Sequence, residues 1–254
     1  MGTMRWSPAR WSRRGRLSAL PRPPYDQSTS GQGEPEMHFT RLSESDEYRR
    51  QREELRVAEL DLIDHAERVA ALRRSLPADT TVDQYPFVDV ASGDRVQLSE
   101  LFSAPARPLI VYHFMYGKAQ TEPCPLCTMW IDGYNAAAPH LTQNADFVVV
   151  AAADPAAIAS HAAARGWSNL RLLSAGDSTF KYDLGSEEAD GTQIESVSVF
   201  TLGDDGTVRH VYSKGAQMAD DRRERGIDLL TPVWHLLDLT PNGRPHDWYP
   251  ALHY

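Results

Sequence analysis

Two short apolar runs limit the fold most. Pro108 to Met115 reads Pro-Leu-Ile-Val-Tyr-His-Phe-Met, and Phe147 to Val150 reads Phe-Val-Val-Val. Uninterrupted runs rich in β-branched and aromatic residues are strands buried inside a sheet. Between them, Thr128 to about His140 has a helical pattern, so the three segments form a β-α-β unit. A further helix opens where Asp154 can cap and Pro155 takes the first turn. Gly166 ends it.

The flanks extend this pattern. Upstream, Tyr85 to Val90 alternates, Ser92-Gly93-Asp94 makes a turn, and Arg95 to Leu98 resumes the alternation. Ser99 can then cap a short helix through Phe102. Downstream, Leu170 to Leu173 is a short strand. Ser196 to Leu202 and Thr207 to Tyr212 flank the hairpin turn Gly203-Asp-Asp-Gly206, and Ile227 to Leu237 is a last amphipathic helix. Strands alternating with helices, closed by a hairpin and a helix, make an α/β fold on the thioredoxin plan. The expectation is a thioredoxin-like three-layer sandwich over residues 79–254, with a long N-terminal helix and a disordered N-terminal tail.

That helix belongs to residues 37–78. From Ser43, with Asp46 completing a capping box, Tyr48, Leu55, Ala58, Leu62, Ala66, Val69, Leu72 and Leu76 form one apolar stripe that Pro77 ends. The stripe is a packing face, either for a helix lying on its own domain or, at a period near 3.5, for a homodimer paired through residues 43–76. Residues 1–36 differ. Six arginines face one acid over residues 1–33, and Pro, Ser and Gly are frequent, so this stretch reads as a disordered tail. Arg13-Arg14 suggests an export signal, but only Leu17-Ser18-Ala19-Leu20 follows where a longer apolar run is required. Residues 1–36 also read as a translated stretch ahead of a working start at Met37.

Bulk properties exclude several classes. Net charge is −9, against nucleic acid as partner, since phosphate binding requires clustered Lys and Arg. No run of eighteen apolar residues is present, so a membrane-spanning helix is excluded on length. The chain has only two cysteines, Cys124 and Cys127. A secreted disulfide scaffold carries more, at longer spacings. The expected location is the cytoplasm.

Cys124-Pro125-Leu126-Cys127 stands where the first buried strand gives way to a helix. There the first sulfur meets unpaired backbone N–H groups and the positive end of the helix dipole, which favour the thiolate. The second sulfur lies one turn on, on the same face, where it can resolve a mixed disulfide. Pro125 suits the first turn and stiffens the loop. Glu122 would oppose ionisation and Lys118 would favour it. The expected chemistry is dithiol–disulfide exchange, with Cys124 attacking and Cys127 resolving. It needs no cofactor or metal, acts on a protein or small-molecule thiol or disulfide, and is reset by an external thiol reductant. A redox-sensing or interaction module without turnover is the alternative. Zinc would need four ligands where one C-x-x-C is present, and His113 is the best further candidate. Thr121 precedes Cys124 as in the T-x-x-C of peroxiredoxins, so a peroxide reductase is a further reading. The proline those enzymes place four residues earlier is Gly117 here.

Several distant segments also resemble one family. They are Tyr112-His-Phe-Met-Tyr-Gly117, Cys124-Pro-Leu-Cys127, Ser196-Val-Ser-Val-Phe200, His210-Val-Tyr-Ser213, Leu237-Asp-Leu-Thr-Pro241 with Gly243-Arg244, and Asp247-Trp-Tyr-Pro250. The sequence is similar, from about Met37 to Tyr254, to the bacterial thioredoxin-like family called domain of unknown function 899, described as predicted dithiol-disulfide oxidoreductases. The resemblance implies a thioredoxin fold and a redox role for Cys124 and Cys127, and no known substrate. Three places depart from the family pattern: Leu126 replaces a small polar residue, Lys181 to Thr192 is shortened, and Ala219 to Arg225 is inserted. Thioredoxins also place a cis-proline before their third core strand, where this chain has Glu195-Ser196-Val197.

Overall fold

The computed structural model describes residues 43–105, 107–217, 226–245 and 248–253. The tail 1–36 and the insertion Ala219–Arg225 lie outside them. The chain divides into two compact units, residues 1–60 and 61–254. The described part of the first is mainly the opening half of α1 (Asp46–Arg74). Ser45, not Ser43, caps this helix, its Oγ accepting the Tyr48 N–H at 3.1 Å. Asp46 and Glu47 in the first turn and Arg73 and Arg74 in the last oppose the helix dipole. Arg56 pairs with Glu53 one turn away. In the second unit, Leu62 and Leu72 of the apolar stripe are each 67% exposed. That part of the expected packing face is uncovered among the described residues. Arg73 lies 5.6 Å above the Tyr212 ring.

The second unit then runs β1 (Thr80–Thr81), β2 (Pro86–Asp89), β3 (Arg95–Gln97), a 3-10 turn (Leu98–Leu101), β4 (Leu109–His113), α2 (Pro125–Leu141), β5 (Asp146–Ala151), α3 (Pro155–Arg165), β6 (Arg171–Ser174), α4 (Phe180–Asp183), β7 (Ser196–Leu202), β8 (Val208–Gly215), a second 3-10 turn (Asp228–Leu230) and α5 (Pro232–Asp238). The described strands form one sheet in the order β1-β8-β7-β4-β5-β6-β2-β3. β4, β5 and β6 are parallel, and β7 lies antiparallel to β4. Both crossovers step the same way across the sheet, so right-handedness puts α2 and α3 on one face. The 3-10 turn at Leu98 and α4 cover the other. The result is the expected thioredoxin-like sandwich, with the β2–β3 hairpin added beyond β6.

Alternation along β4 divides the core. Tyr112 turns toward α2 and packs with Trp130, Ile131, Val149 and Leu172. Leu109 and Val111 turn the other way and pack with Val150, Leu173, Phe180 and Phe200. Each such side chain contributes about 1.5–3 kcal/mol by leaving water. The local signals act as read: Asp154 Oδ1 accepts the Ala156 N–H at 2.8 Å, and Gly166 ends α3 at φ 69°. The last helix differs. Ile227 to Leu237 is not continuous, because Pro232 has no N–H to extend a preceding helix. A 3-10 turn ends at Leu230, Thr231 caps through its side chain, and α5 starts at Pro232.

Candidate functional site

β4 delivers the chain to the rim of the sheet. The following loop returns to it through Cys124, whose N–H donates to the Met115 carbonyl at 3.0 Å. Cys124 caps α2 in extended conformation, φ −63° and ψ 124°, with Pro125 in the first turn. Its sulfur accepts the Cys127 N–H at 3.4 Å. Thr128, one turn on, donates its hydroxyl hydrogen to the Cys124 carbonyl at 3.0 Å. The helix thus starts three residues before the patterned stretch that signals it, because cap and proline supply the first turn.

The two sulfurs are free and unlike: Cys124 is half-buried and Cys127 fully buried. The Cys124 thiol is lowered to about 6. A hydrogen bond from the Cys127 thiol is the largest cause and outweighs the effect of burial, with the Cys127 N–H, the Tyr249 hydroxyl and the Leu126 N–H assisting. Cys127 is pushed well above the usual thiol range, first by burial and then by the neighbouring Cys124 sulfur and its charge. Lys118 and Glu122 are both exposed and are not among the groups that set the Cys124 value.

Aromatic side chains wall the buried sulfur. The Tyr112 ring meets Trp130 edge-on at 6.3 Å and Tyr134 at 5.2 Å. The hydroxyls of both tyrosines and the Trp130 indole nitrogen are buried without a hydrogen-bond partner among the described residues. Burial, followed by the charge of Cys127, raises both phenols well above the usual phenol range. They stay protonated beside the thiol. Lys181 of α4 reaches the same neighbourhood from the opposite core. Its Nζ donates to the Phe114 carbonyl at 3.0 Å, and burial lowers it to about 8.

His113 does not approach the cysteines. Strand alternation points it to the other face, where it is fully buried and stacks on Phe180 at 5.4 Å. Its Nε2 meets the Ser198 hydroxyl at 2.9 Å. Among the described residues no group of three or more His, Cys, Asp or Glu is placed to hold a metal. Thr121 is exposed in the loop ahead of the helix. Gly117 could not be the proline of the peroxiredoxin pattern in this conformation. Its N–H donates to Gln120 Oε1 at 2.5 Å, and a Cβ there would lie 3.1 Å from Gln193 Cγ. No cis peptide is present among the described residues. Ser196 opens β7 opposite His113, its hydroxyl 2.5 Å from that of Ser186.

Sequence reasoning placed both cysteines and missed Tyr249, whose hydroxyl lies 3.8 Å from Cys124 Sγ. The Asp247-Trp-Tyr-Pro250 segment was visible only as a motif, and nothing local ties it to a cysteine 125 residues away. Lys181 was missed as well, since its burial depends on α4 folding over the sheet.

No curated protein matches the sequence. Among solved structures, the chain is similar to a PrxQ mutant of Xylella fastidiosa, with 18% identity, 55% of this chain and 86% of that one covered, and a TM-score of 0.42. A peroxiredoxin-like protein from Aquifex aeolicus shows 14% identity over 54% and 75%, TM-score 0.41. Peroxidoxin BcpB from Mycobacterium tuberculosis shows 19% over 52% and 82%, TM-score 0.40. A match of another extent takes in the long helix, the whole sheet, both cysteines and the segment carrying Tyr249. It covers residues 37–254, and by it the chain belongs to the family described as bacterial protein of unknown function, DUF899.

Proposed function

We propose that the protein is a thiol–disulfide oxidoreductase that exchanges two electrons between its dithiol and a disulfide in a protein or small molecule. The observation that supports this is the unlike setting of the two sulfurs. Cys124, half-buried at a helix start, is held at about 6, so at pH 7 about nine-tenths of it is thiolate. A thiol titrating near ambient pH combines ionisation with nucleophilicity. Cys127, sealed one turn on, stays protonated and in reserve.

The Cys124 thiolate attacks one sulfur of the substrate disulfide. The substrate S–S bond breaks, one half leaves as thiolate, and the other stays on Cys124 as a mixed disulfide. This removes the negative charge that helps hold the Cys127 thiol high, so Cys127 ionises more readily. It gives its proton to water, attacks the Cys124 sulfur and expels the second half as thiolate. The substrate gains two electrons and the dithiol loses two, becoming the Cys124–Cys127 disulfide. An external thiol reductant, of the kind the cytoplasm supplies, restores it. No cofactor enters the cycle. No described helix is long and apolar enough to cross a membrane.

The test is single-turnover reaction with a chromogenic aromatic disulfide. The wild type should release two equivalents of chromogenic thiolate. Cys127→Ser should release one and keep the other half on Cys124, and Cys124→Ser should release none. No release from the wild type would refute the reading. Thiol-dependent turnover of hydrogen peroxide, without turnover of disulfides, would replace it with a peroxide reductase.

A further inference from the structure

The C-terminal segment is fastened on both sides of Tyr249. Before it, Trp248 meets Trp234 of α5 edge-on at 5.6 Å, and Arg244 lies 5.3 Å above the same Trp234 ring. Arg244 is itself held by Asp238 at 2.6 Å and Asp228 at 2.5 Å. After it, Pro250 is buried, and the Leu252 carbonyl accepts a hydrogen bond from Arg165 Nη1 at 2.9 Å. Arg165 also pairs with Asp132, and Asp132 accepts the Trp167 indole N–H at 2.8 Å. Asp132 lies on α2, the helix that begins at the cysteines, and Arg165 on α3. One guanidinium therefore ties the C-terminal strap to the helix whose start carries the reactive sulfur.

Between these fastenings Tyr249 is 53% exposed, with its hydroxyl 3.8 Å from Cys124 Sγ. Its hydroxyl faces the less buried of the two thiols.

From this geometry we propose that Tyr249 is a catalytic residue: its hydroxyl donates a hydrogen bond to the Cys124 thiolate and, from the fastened strap, sets how readily that sulfur ionises. The role rests on the proposed dithiol chemistry and adds to it a donor outside the Cys-x-x-Cys loop. A phenol donor favours the thiolate over the thiol, because the hydrogen bond is stronger to the charged form. The same bond is lost when Cys124 enters a mixed disulfide, so it stabilises the enzyme before attack and not after.

The experiment is the pH dependence of Cys124 alkylation by iodoacetamide, measured in the Cys127→Ser background with and without Tyr249→Phe, and with Arg165→Met to loosen the strap. Tyr249→Phe should raise the midpoint by about half a unit to one unit. At pH values below the midpoint this slows alkylation about threefold to tenfold, and at high pH the plateau is unchanged. Arg165→Met should shift the midpoint the same way. A purely structural tyrosine would lower the plateau or leave the curve in place, and either result overturns the proposal. The outcome is separable from that of the dithiol reading. If the disulfide assay succeeds and Tyr249→Phe leaves the midpoint in place, only the role of Tyr249 falls. If disulfides are not turned over while the midpoint still moves, only the function falls.

Discussion

Replacing Lys181 by methionine should stabilise the protein at neutral pH, with the gain vanishing in alkali. Lys181 is 1% exposed and has no carboxylate within ion-pair distance among the described residues. Burial lowers it from 10.5 to about 8, and the Cys127 and Glu187 charges only partly oppose this. A shift of this size corresponds to about 3 kcal/mol of cost for holding the charge in the core. Its Nζ donates to the Phe114 carbonyl at 3.0 Å, but that oxygen also accepts the Tyr116 N–H at 2.9 Å. Removing the ammonium therefore leaves no buried acceptor unpaired, and methionine refills most of the volume. The net gain at pH 7 should be about 1–3 kcal/mol. The sign with pH follows from the lowered value. Between about 8 and 10.5 the unfolded chain holds a proton that the native chain has released, so wild-type stability rises across that window. The gap between variant and wild type is full below pH 8 and closes by about 10.5. Lys181 is not among the groups that set the Cys124 value, so the Cys124 titration cancels in the difference. Urea unfolding of the reduced proteins at pH 7 and pH 10 measures it. A methionine variant less stable at pH 7, or a gap that does not change with pH, would refute the reasoning.

Two further outcomes are expected. Since the native Cys124 thiol titrates near 6 and an unfolded thiol near 8.5, its ionisation contributes stability that is complete above the unfolded value. That contribution is lost as pH falls through 6. Reduced wild type should therefore lose stability, relative to Cys124→Ser, between pH 8.5 and 5.5, and parallel unfolding curves at all pH values would contradict this. Asp154→Ala removes the acceptor of the Ala156 N–H at the start of α3. It should cost about 1 kcal/mol in thermal unfolding while leaving the alkylation midpoint of Cys124 in place.

What could be read from the residue order was whatever short stretches of chain decide by themselves. The strands around Val111 and Val149 show as apolar runs, α3 shows in its Asp154 cap and its Gly166 stop, and the β7–β8 turn shows in Gly203 to Gly206. The placement of the cysteines at a helix start follows from Pro125 and from the strand before it. These features depend on backbone sterics and on hydrogen bonds within a few residues. Where a local signal was overlooked, the reading failed locally as well: Pro232 divides the last helix, and Ser45 takes the cap expected of Ser43.

Folding in three dimensions decided the rest. Strand alternation sent His113 to the face away from the sulfurs, where Ser198 of β7 meets it. Closing α4 over the sheet buried Lys181, and the returning C-terminus put Tyr249 beside Cys124. The sequence by itself determined the central strands, α2 and α3, their order and the dithiol at the head of α2. Only the tertiary structure decided which sulfur is reachable, how far each is shifted and what else touches them. Those properties depend on burial and on through-space contacts between residues far apart in the chain, which no local pattern encodes.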